Sequence, residues 1–365
     1  MQNRKKKVLI LCPSPRGTAA TQRLKYEQYL PGLEQAGYKF TISNFQTSRF
    51  WKIIYKPGNT IEKLFWVIIG YLRRTFDLLR APFYDVIFVN LWITPLGPPL
   101  FERLFSLFGK KLIYDIDDML FKTGSGHGKQ SLVQKLKGTK KPIVLMKHAR
   151  YVIVCTPKLE EIALDLNRYK NVVDISSTFD TGRFTTAVKK ASNSPVIIGW
   201  TGTHSTLPFL DLIQPALHKL IQERNFILKV IANKYYQMEG VPTEYIDWSA
   251  DTEIQDLHTF DIGLYPIPAN EWSLGKSSLK ALTYMAIGIP FVATRYGTNF
   301  RIMEDGVQGF MALEQDEWTE KLKQLIDNFE LRKKMGEMGR KRIIEQYSTE
   351  ANLPKYLKAF KTITS

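Results

Sequence analysis

Short apolar runs alternate with longer amphipathic stretches along the chain. In the first half the apolar runs predict five buried strands: Lys7–Cys12, Lys39–Ser43, Val86–Asn90, Lys111–Asp115 and Tyr151–Cys155. In the second half they predict four more: Val196–Trp200, Ile227–Ala232, Ile262–Tyr265 and Phe291–Thr294. The amphipathic stretches predict helices over Thr21–Ala36, Leu207–Gln222, Lys276–Ile287, Glu317–Phe329 and Leu331–Tyr347. Strands separated by helices are typical of parallel sheets, so the pattern predicts an α/β fold.

The periodicity disappears near Phe179–Ser194, in the polar stretch TGRFTTAVKKASNSP, which we interpret as an interdomain linker. The 365 residues suit two domains of about 150–200 residues each. We therefore predict a first Rossmann-like, doubly wound domain over residues 1–185, completed by a C-terminal helix over 350–365. A second such domain is predicted over 195–349, facing the first across a cleft.

Positive charge is concentrated in the first half of the chain. Residues 1–190 contain 32 Lys and Arg against 14 Asp and Glu, a net charge of +18, whereas residues 191–365 contain 19 against 21, a net charge of −2. A basic domain attracts phosphorylated substrates, anionic membranes or nucleic acid. No RNP, helix-turn-helix or zinc-finger pattern accompanies the charge, so no nucleic-acid partner is expected. A merely soluble basic surface is the plain alternative.

Aromatic and cationic residues are mixed in the stretch 61–83 and in the run 50–56 that precedes it. The residues concerned in the longer stretch are Phe65, Trp66, Ile68, Ile69, Tyr71, Leu72 and Phe76, with Lys63, Arg73, Arg74 and Arg80. Such helices favour the headgroup zone of anionic membranes, so an anionic membrane surface is a predicted partner. The alternative is a helix packed in the core with its arginines exposed.

The two cysteines, Cys12 and Cys155, lie in apolar strand-like runs, which favours a reducing compartment without a disulfide framework. The first apolar run, Val8–Cys12, is too short for a secretory signal, and no run reaches the ~18–20 residues of a bilayer-spanning helix. We therefore expect a cytoplasmic protein, peripheral at the inner face of the membrane if the basic domain binds there. None of the five histidines has metal-ligand spacing, and no metal is predicted.

Two segments carry candidate chemistry for phosphate binding. In the first, a predicted strand leads into Thr201-Gly202-Thr203, and a predicted helix follows. Free backbone amides and the positive end of the helix dipole suit a diphosphate there. An ordinary strand-to-helix turn without a ligand is the alternative. The second is the loop after Ile262–Tyr265, at the carboxyl end of a strand. Lys276 and Lys280 are four residues apart there and predicted to share one helical face, which favours an anion between them. Two solvated surface lysines are the alternative.

The runs GKSSLKALTYMAIGIPFVAT and YGTNFRIMEDGVQGF resemble the donor-binding region of GT-B fold glycosyltransferases of family 4, the group 1 glycosyl transferases. IGWTGTHST, YDIDD and LRKKMGEMGRKRIIEQYS extend the resemblance over most of the chain. It implies a retaining transferase that moves a sugar from a nucleotide-diphosphate sugar to a sugar or lipid-linked acceptor, in polysaccharide biosynthesis. It implies no cofactor beyond that donor and no metal.

The resemblance also implies roles for particular residues, although the two glutamates typical of the family fall on Gly275 and Thr283. Glu271 is the candidate replacement beside the donor sugar, and Lys276 and Lys280 are candidates for binding phosphate. The implied donor-binding residues are Gly202, Thr203, Trp272, Lys276, Ser277, Lys280, Thr283, Thr298 and Asn299. The implied catalytic residues are Glu271, Lys276 and Asp117.

On the acceptor side the resemblance points to Arg16, Gly17 and Arg23 near the first strand and to Asp117 in the run YDIDD. The carboxylates of this run suit an acceptor hydroxyl, a divalent cation or a helix dipole, and a capped turn with paired carboxylates is the alternative.

Two other functions remain open for the whole chain. One is a nucleotide-sugar 2-epimerase, and the other is a non-catalytic sugar-nucleotide-binding protein, which the missing glutamates suggest.

Overall fold

The computed structural model describes residues 4–54, 56–121, 138–190 and 194–364. Contacts divide the chain into two units, Met1–Ser177 with Asn352–Ser365, and Thr178–Ala351. Each unit contains a six-stranded parallel sheet with helices packed against it. The predicted α/β fold with two doubly wound, Rossmann-like units is therefore confirmed.

In the first unit the sheet order is β2-β1-β3-β4-β5-β6. Its strands are β1 (Lys6–Cys12), β2 (Tyr38–Asn44), β3 (Val86–Asn90), β4 (Leu112–Asp115), β5 (Tyr151–Val154) and β6 (Val172–Asp174). Its helices are α1 (Ala20–Arg23), α2 (Leu30–Gln35), α3 (Ser48–Ile53), α4 (Thr60–Arg80), α5 (Leu100–Ser106), α6 (Lys140–His148) and α7 (Pro157–Leu166). The winding direction reverses between β1 and β3, so this is the switch point of the sheet.

In the second unit the sheet order is β12-β11-β10-β7-β8-β9. Its strands are β7 (Val196–Gly202), β8 (Phe226–Ala232), β9 (Thr243–Asp247), β10 (Ile262–Tyr265), β11 (Phe291–Thr294) and β12 (Phe310–Ala312). Its helices are α8 (Gln214–Glu223), α9 (Glu253–Leu257), α10 (Leu279–Ala286), α11 (Asn299–Ile302), α12 (Gln315–Asp327) and α13 (Phe329–Arg342). The switch point lies between β7 and β10.

The last helix, α14 (Thr349–Thr364), packs in the core of the first unit. Tyr356 stacks on Tyr29 with ring centroids 4.2 Å apart, and Phe360 stacks on Phe88 at 6.0 Å. All four of these aromatic side chains are nearly inaccessible to solvent. The end of the chain therefore supplies part of the hydrophobic core built by its beginning.

All nine predicted strands are present, and their ends agree with the prediction to within two residues. The three strands that the sequence did not predict, β6, β9 and β12, each form an edge of a sheet. Strands β6 and β9 are only partly buried, so they lack the continuous apolar run of a central strand. Strand β12 is buried but has only three residues, too few for a pattern.

Two predicted helices are wrong as continuous helices. Thr21–Ala36 is divided into α1, a 3₁₀ turn over Tyr26–Tyr29, and α2, since Pro31 starts a new helix and the backbone leaves helical geometry at Lys25. The predicted helix Lys276–Ile287 begins only at Leu279, because Ser278 adopts the left-handed conformation with φ of 59°.

Three further predicted helices differ mainly in their ends. Leu207–Gln222 starts as a 3₁₀ turn over Leu207–Ile213 and continues as α8. Leu331–Tyr347 is α13 followed by a π-helical turn over Ile343–Tyr347. Glu317–Phe329 corresponds to α12, which starts and ends two residues earlier. These shifts leave the buried faces of the helices on the core.

Helix α4 has its charged side turned inward, which contradicts the prediction of an accessible Arg74. The Arg74 guanidinium is fully buried and donates hydrogen bonds to the carbonyl oxygens of Ile93, Ser43 and Cys12. It also forms an ion pair with buried Asp77, with 2.8 Å between nitrogen and oxygen. Arg74 therefore binds the carboxyl ends of β1 and β2. The alternative of a core helix with exposed arginines is wrong as well.

Candidate functional site

The candidate donor site lies at the switch point of the second unit, where the carboxyl ends of β7 and β10 are neighbours. Strand β7 ends at Gly202, and β10 ends at Tyr265. A loop and a 3₁₀ turn over Glu271–Gly275 follow β10, and then α10 begins. Ligands of open α/β sheets bind at this position, because the first turns of the connections on either side diverge there.

Lys280, in the first turn of α10, is held by groups from both strands. Its ammonium lies 5.2 Å from the ring centroid of Trp200 and 5.8 Å from that of Tyr265, within the range of cation–π attraction. It is also 3.4 Å from the hydroxyl oxygen of Thr206, in the loop after β7. Trp200 and Tyr265 are buried, so their rings are fixed and restrict the position of the Lys280 ammonium.

Gly202 provides the space that the Lys280 side chain occupies. A Cβ atom at position 202 would lie 2.8 Å from Lys280 Cε and 2.5 Å from Trp200 Cη2. Both distances are well below the ~3.5–4.0 Å of an ordinary carbon–carbon contact. Gly202 was predicted as a donor-binding residue, and the structure shows that it allows close approach of the lysine.

Lys276 and Lys280 do not share a helical face, contrary to the prediction, because Lys276 precedes the helix in extended conformation. Its ammonium instead lies 4.1 Å from the ring centroid of Trp272. The Trp272 ring packs edge-on against Phe209, with centroids 6.0 Å apart. The carboxylate-bearing Glu271 is the first residue of the 3₁₀ turn and is exposed. Both predicted residues, Lys276 and Glu271, thus lie in the loop that follows β10.

The start of α10 buries three small polar side chains. Ser277 and Ser278 are almost fully buried, and the Ser278 hydroxyl finds no hydrogen-bond partner among the described residues. Thr283 is also buried, and its hydroxyl donates to the carbonyl oxygen of Leu279 at 2.8 Å. The Thr283 hydroxyl therefore uses its one donor within its own helix and retains only acceptor capacity for a ligand.

The remaining donor-side residues are divided between an exposed loop and a buried turn. Thr203 is exposed, and its carbonyl oxygen accepts hydrogen bonds from the amides of Thr206 and Leu207. Thr298 and Asn299 are buried at the start of the short helix α11. The side-chain Nδ2 of Asn299 donates to the carbonyl oxygen of Thr294 at 2.7 Å, which ties α11 to the end of β11.

In the first unit, the predicted carboxylates surround a buried lysine that the sequence did not identify. Lys25 Nζ lies 3.1 Å from a carboxylate oxygen of Asp115 and donates to the carbonyl oxygen of Ile175 at 2.8 Å. Burial opposes the charge of Lys25, but the carboxylates of Asp115 and Asp117 outweigh burial and raise the pKa of Lys25. Asp115 is therefore a structural ion-pair partner of Lys25.

Asp117 is buried beside this pair. Burial raises the pKa of Asp117 to about 6, and the attraction of Lys25 offsets part of that effect. The backbone oxygen of Asp117 accepts a hydrogen bond from the Cys155 thiol at 2.9 Å. A carboxyl group with such a pKa can exist in either protonation state near neutral pH, which is a property of many acid–base groups.

The loop after β1 carries the other acceptor-side residues. Arg16 and Gly17 are exposed, and Gly17 has a φ of 79°, which favours glycine. The Gly17 amide donates to a carboxylate oxygen of Glu27 at 2.9 Å, and Gln22 exchanges hydrogen bonds with the backbone of the loop. Arg23 is buried. Gln22 and Glu27 therefore hold the loop, a role without a sequence signal.

Among the described residues, no group of three or more His, Cys, Asp or Glu side chains is placed to hold a metal ion. Cys12 and Cys155 are free and buried. Within the same described ranges, no helix is long and apolar enough to cross a membrane.

Solved structures similar to the whole chain are GT-B glycosyltransferases. Sucrose-phosphate synthase from Thermosynechococcus elongatus is 14% identical with a TM-score of 0.69, and the match covers 99% of each chain. HepE of Anabaena, in complex with UDP and glucose, is 14% identical with a TM-score of 0.65 over 98% of this chain and 100% of its own. The lipopolysaccharide outer core galactosyltransferase WaaB is 11% identical with a TM-score of 0.65, over 98% and 99%. The chain therefore has the GT-B fold.

Residues 276–342 match the family model of the glycosyl transferases group 1. The match begins at Lys276, includes α10 and the turn at Gly288, and ends with the last residue of α13. A comparison with curated proteins finds no significant match by sequence. The predicted resemblance to GT-B glycosyltransferases of group 1 is thus confirmed, and the family match supports glycosyltransferase activity.

The sequence interpretation did not identify the residues that position the Lys280 side chain. Trp200, Tyr265 and Thr206 all contact the Lys280 side chain, and Asn233 accepts a hydrogen bond from the His204 amide at 2.7 Å. One available signal was the aromatic residue near the carboxyl end of each strand at the switch point. It could be interpreted only once the strand order was known.

Proposed function

We propose that the chain is a retaining glycosyltransferase that takes a hexose or related sugar from a nucleotide-diphosphate sugar. The observation that carries this proposal is the position of the Lys280 ammonium at the switch point, between Trp200 and Tyr265. A cation fixed at the carboxyl ends of strands suits the diphosphate of a donor, and stabilising the departing diphosphate is the main electrostatic task of such a transfer.

Lys276 provides a second positive charge in the loop that leads into α10. In the proposed complex Lys280 contacts the diphosphate from the helix and Lys276 contacts it from the loop. The buried Ser278 hydroxyl, unpartnered within the described residues, is available to donate a hydrogen bond at the same place. Glu271 orients the sugar, and Thr283 replaces the family's ribose-binding glutamate with a single neutral contact.

A UDP-sugar is the first donor to test, because the structurally similar HepE of Anabaena was solved with UDP and with UDP-glucose. We propose that the acceptor is a lipid-linked sugar or a precursor of a cell-surface polysaccharide, used at the cytoplasmic face of the membrane. The buried Asp117, with a pKa near 6, is the proposed acid–base group on the acceptor side.

The proposal is tested with Lys280→Ala and Lys276→Ala in assays of donor binding and sugar transfer. Each variant is expected to lower kcat/KM by roughly 10²–10³-fold, the usual effect of removing one charge-stabilising group, while remaining folded. Lys321→Ala is the matched control, since Lys321 also lies over an aromatic ring, that of Phe310, at 4.5 Å, but not at the switch point. Transfer at the wild-type rate in both site variants would exclude this assignment.

The configuration of the product distinguishes the remaining alternatives. A product with the donor's anomeric configuration, observed by NMR, supports a retaining transfer, and an inverted product contradicts it. Epimerisation of the donor without any acceptor would favour a 2-epimerase. Donor binding with neither hydrolysis nor transfer would favour a non-catalytic sugar-nucleotide-binding protein.

A further inference from the structure

The outward face of helix α4 is apolar except for two exposed threonines, Thr60 at its start and Thr75. Eight large hydrophobic side chains on this face and in the 3₁₀ turn that follows it are each more than half exposed: Ile61, Leu64, Phe65, Ile68, Leu72, Phe76, Leu79 and Phe83. Their spacing of three, four and seven residues places them in one stripe. The helix of 21 residues is about 30 Å long, so the stripe is a continuous surface rather than a set of scattered residues.

Two charged residues of α4 lie on its inner side, which is the reverse of an ordinary surface helix. Arg74 and Asp77 are fully buried and bonded to the strand ends. Gly70 lets the helix approach the core, because a Cβ atom there would lie 2.5 Å from the ring of Phe45. Within Thr60–Arg80, all of which the structure describes, no exposed residue is charged. The orientation is therefore fixed by packing and hydrogen bonds.

Cations flank this apolar stripe. Helices α3 and α5 both pack against α4, and exposed Arg49, Lys52 and Arg103 lie on them. Residues 48–111 contain ten Lys and Arg against four Asp and Glu, and two of those acids, Asp77 and Glu102, are fully buried. Arg74 is buried as well, and Arg49 pairs with Glu62 of α4 at 2.6 Å, so the accessible charge of this stretch is net positive.

We infer that this face of α4 docks on an anionic lipid bilayer, with its apolar stripe among the acyl chains and the flanking cations at the lipid phosphates. A helix with bulky apolar residues on one side and basic residues beside them lies in the plane of the interface and binds anionic lipids preferentially. A second copy of the chain is a poorer occupant, since pairing two stripes would bring the two sets of cations together. The helix thus inserts through Phe65, Leu72 and Phe76, while Arg74 remains inside the protein.

Docking of α4 on the bilayer places the protein at the membrane face where the proposed sugar transfer takes place, so its biological role rests on the proposed function. Lipid binding is measured without donor or acceptor, so its failure is distinguishable from failure of the transfer reaction. The full chain is mixed with phosphatidylcholine vesicles, with or without phosphatidylglycerol, and sedimented. Wild type is expected to sediment with the vesicles that contain phosphatidylglycerol and to stay in solution with phosphatidylcholine alone.

The triple variant Phe65→Ser, Leu72→Ser and Phe76→Ser is expected to bind the anionic vesicles at least about 100-fold more weakly, because three large apolar side chains no longer enter the bilayer. These side chains are exposed, so thermal unfolding should be close to that of the wild type. Leu164→Ser, Val188→Ser and Ile344→Ser together form the matched control, since they replace three exposed apolar residues elsewhere. The control is expected to bind like the wild type.

A second measurement uses the wild-type surface with a single probe. In Leu72→Cys the new thiol is exposed, whereas Cys12 and Cys155 are buried, so an environment-sensitive dye labels position 72. Its emission is expected to shift to the blue on phosphatidylglycerol vesicles, and the same dye on Leu164→Cys is expected not to shift. Unchanged emission at position 72, or equal binding by the triple variant, would overturn the inference. A wild-type dimer that the triple variant dissociates without lipid would assign the face to self-association instead.

Discussion

Gly202→Ala tests whether the candidate donor site depends on the space beside the last residue of β7. The added Cβ would lie 2.5 Å and 2.7 Å from two atoms of the Trp200 ring and 2.8 Å from Lys280 Cε. Trp200 is fully buried in the core of its unit, so its ring cannot simply rotate away. The lysine stem is flexible, and it is expected to move first.

Two effects of different size follow from these distances. Contacts at 2.5–2.8 Å must open by about 1 Å to reach ordinary carbon–carbon separation, and overpacking of this kind costs about 1–3 kcal/mol in the free energy of unfolding. Displacing Lys280 removes a charge-assisted hydrogen bond to phosphate, worth about 1.5–3 kcal/mol. That loss corresponds to UDP binding that is roughly 10- to 150-fold weaker.

The assay measures both quantities in a double-mutant cycle. Urea denaturation gives the free energy of unfolding, and calorimetry gives the dissociation constant of UDP, for the wild type, Gly202→Ala, Lys280→Ala and the double variant. If the alanine acts by displacing the lysine, Gly202→Ala should weaken UDP binding in the wild type and have little further effect once Lys280 is absent. The destabilisation through Trp200 should remain in both backgrounds.

Gly182→Ala is the control for adding a methyl group to this unit, because its Cβ would meet only the Asp180 carboxylate, at 3.3 Å. It should bind UDP like the wild type. The reasoning is refuted if Gly202→Ala also keeps wild-type UDP affinity and stability. It is refuted as well if the two substitutions weaken binding independently, since then Gly202 does not act through Lys280.

Two further predictions concern packing and buried charge. A Cβ atom at Gly336 would lie 2.0 Å from the carbonyl oxygen of Gly288, so Gly336→Ala should lower the free energy of unfolding, measured in urea, by about 1–3 kcal/mol. The control is Glu337→Ala at an exposed position of the same helix, which should lower it by no more than about 0.5 kcal/mol. Lys25→Met leaves the fully buried Asp115 carboxylate without its ion-pair partner and should cost about 3–5 kcal/mol, of which adding Asp115→Asn recovers a part. A Lys25→Met protein as stable as the wild type would show that the pair is not structural.

The sequence by itself determined the central strands and the family resemblance. Strands such as Val86–Asn90 and Phe291–Thr294 are buried on both sides, and only a continuous apolar run satisfies that environment, so their positions follow from composition. The run that begins at Lys276 belongs to a matched family segment, so the reaction class was also accessible. The edge strands β6, β9 and β12 were not, because β6 and β9 are only partly buried and β12 has only three residues.

Tertiary structure decided which side chains meet. Lys25 looked like an ordinary surface lysine on a predicted helix, and only the carboxyl end of β4 brings the Asp115 carboxylate within 3.1 Å of it. Periodicity places Arg74 on a face of α4 but does not say which face the protein covers. The hydrogen bonds that Arg74 donates to the strand ends show that its face is the buried one, and the apolar stripe therefore faces solvent. Likewise, Trp200 and Lys280 are distant in sequence and become neighbours only because the winding of the sheet reverses between β7 and β10.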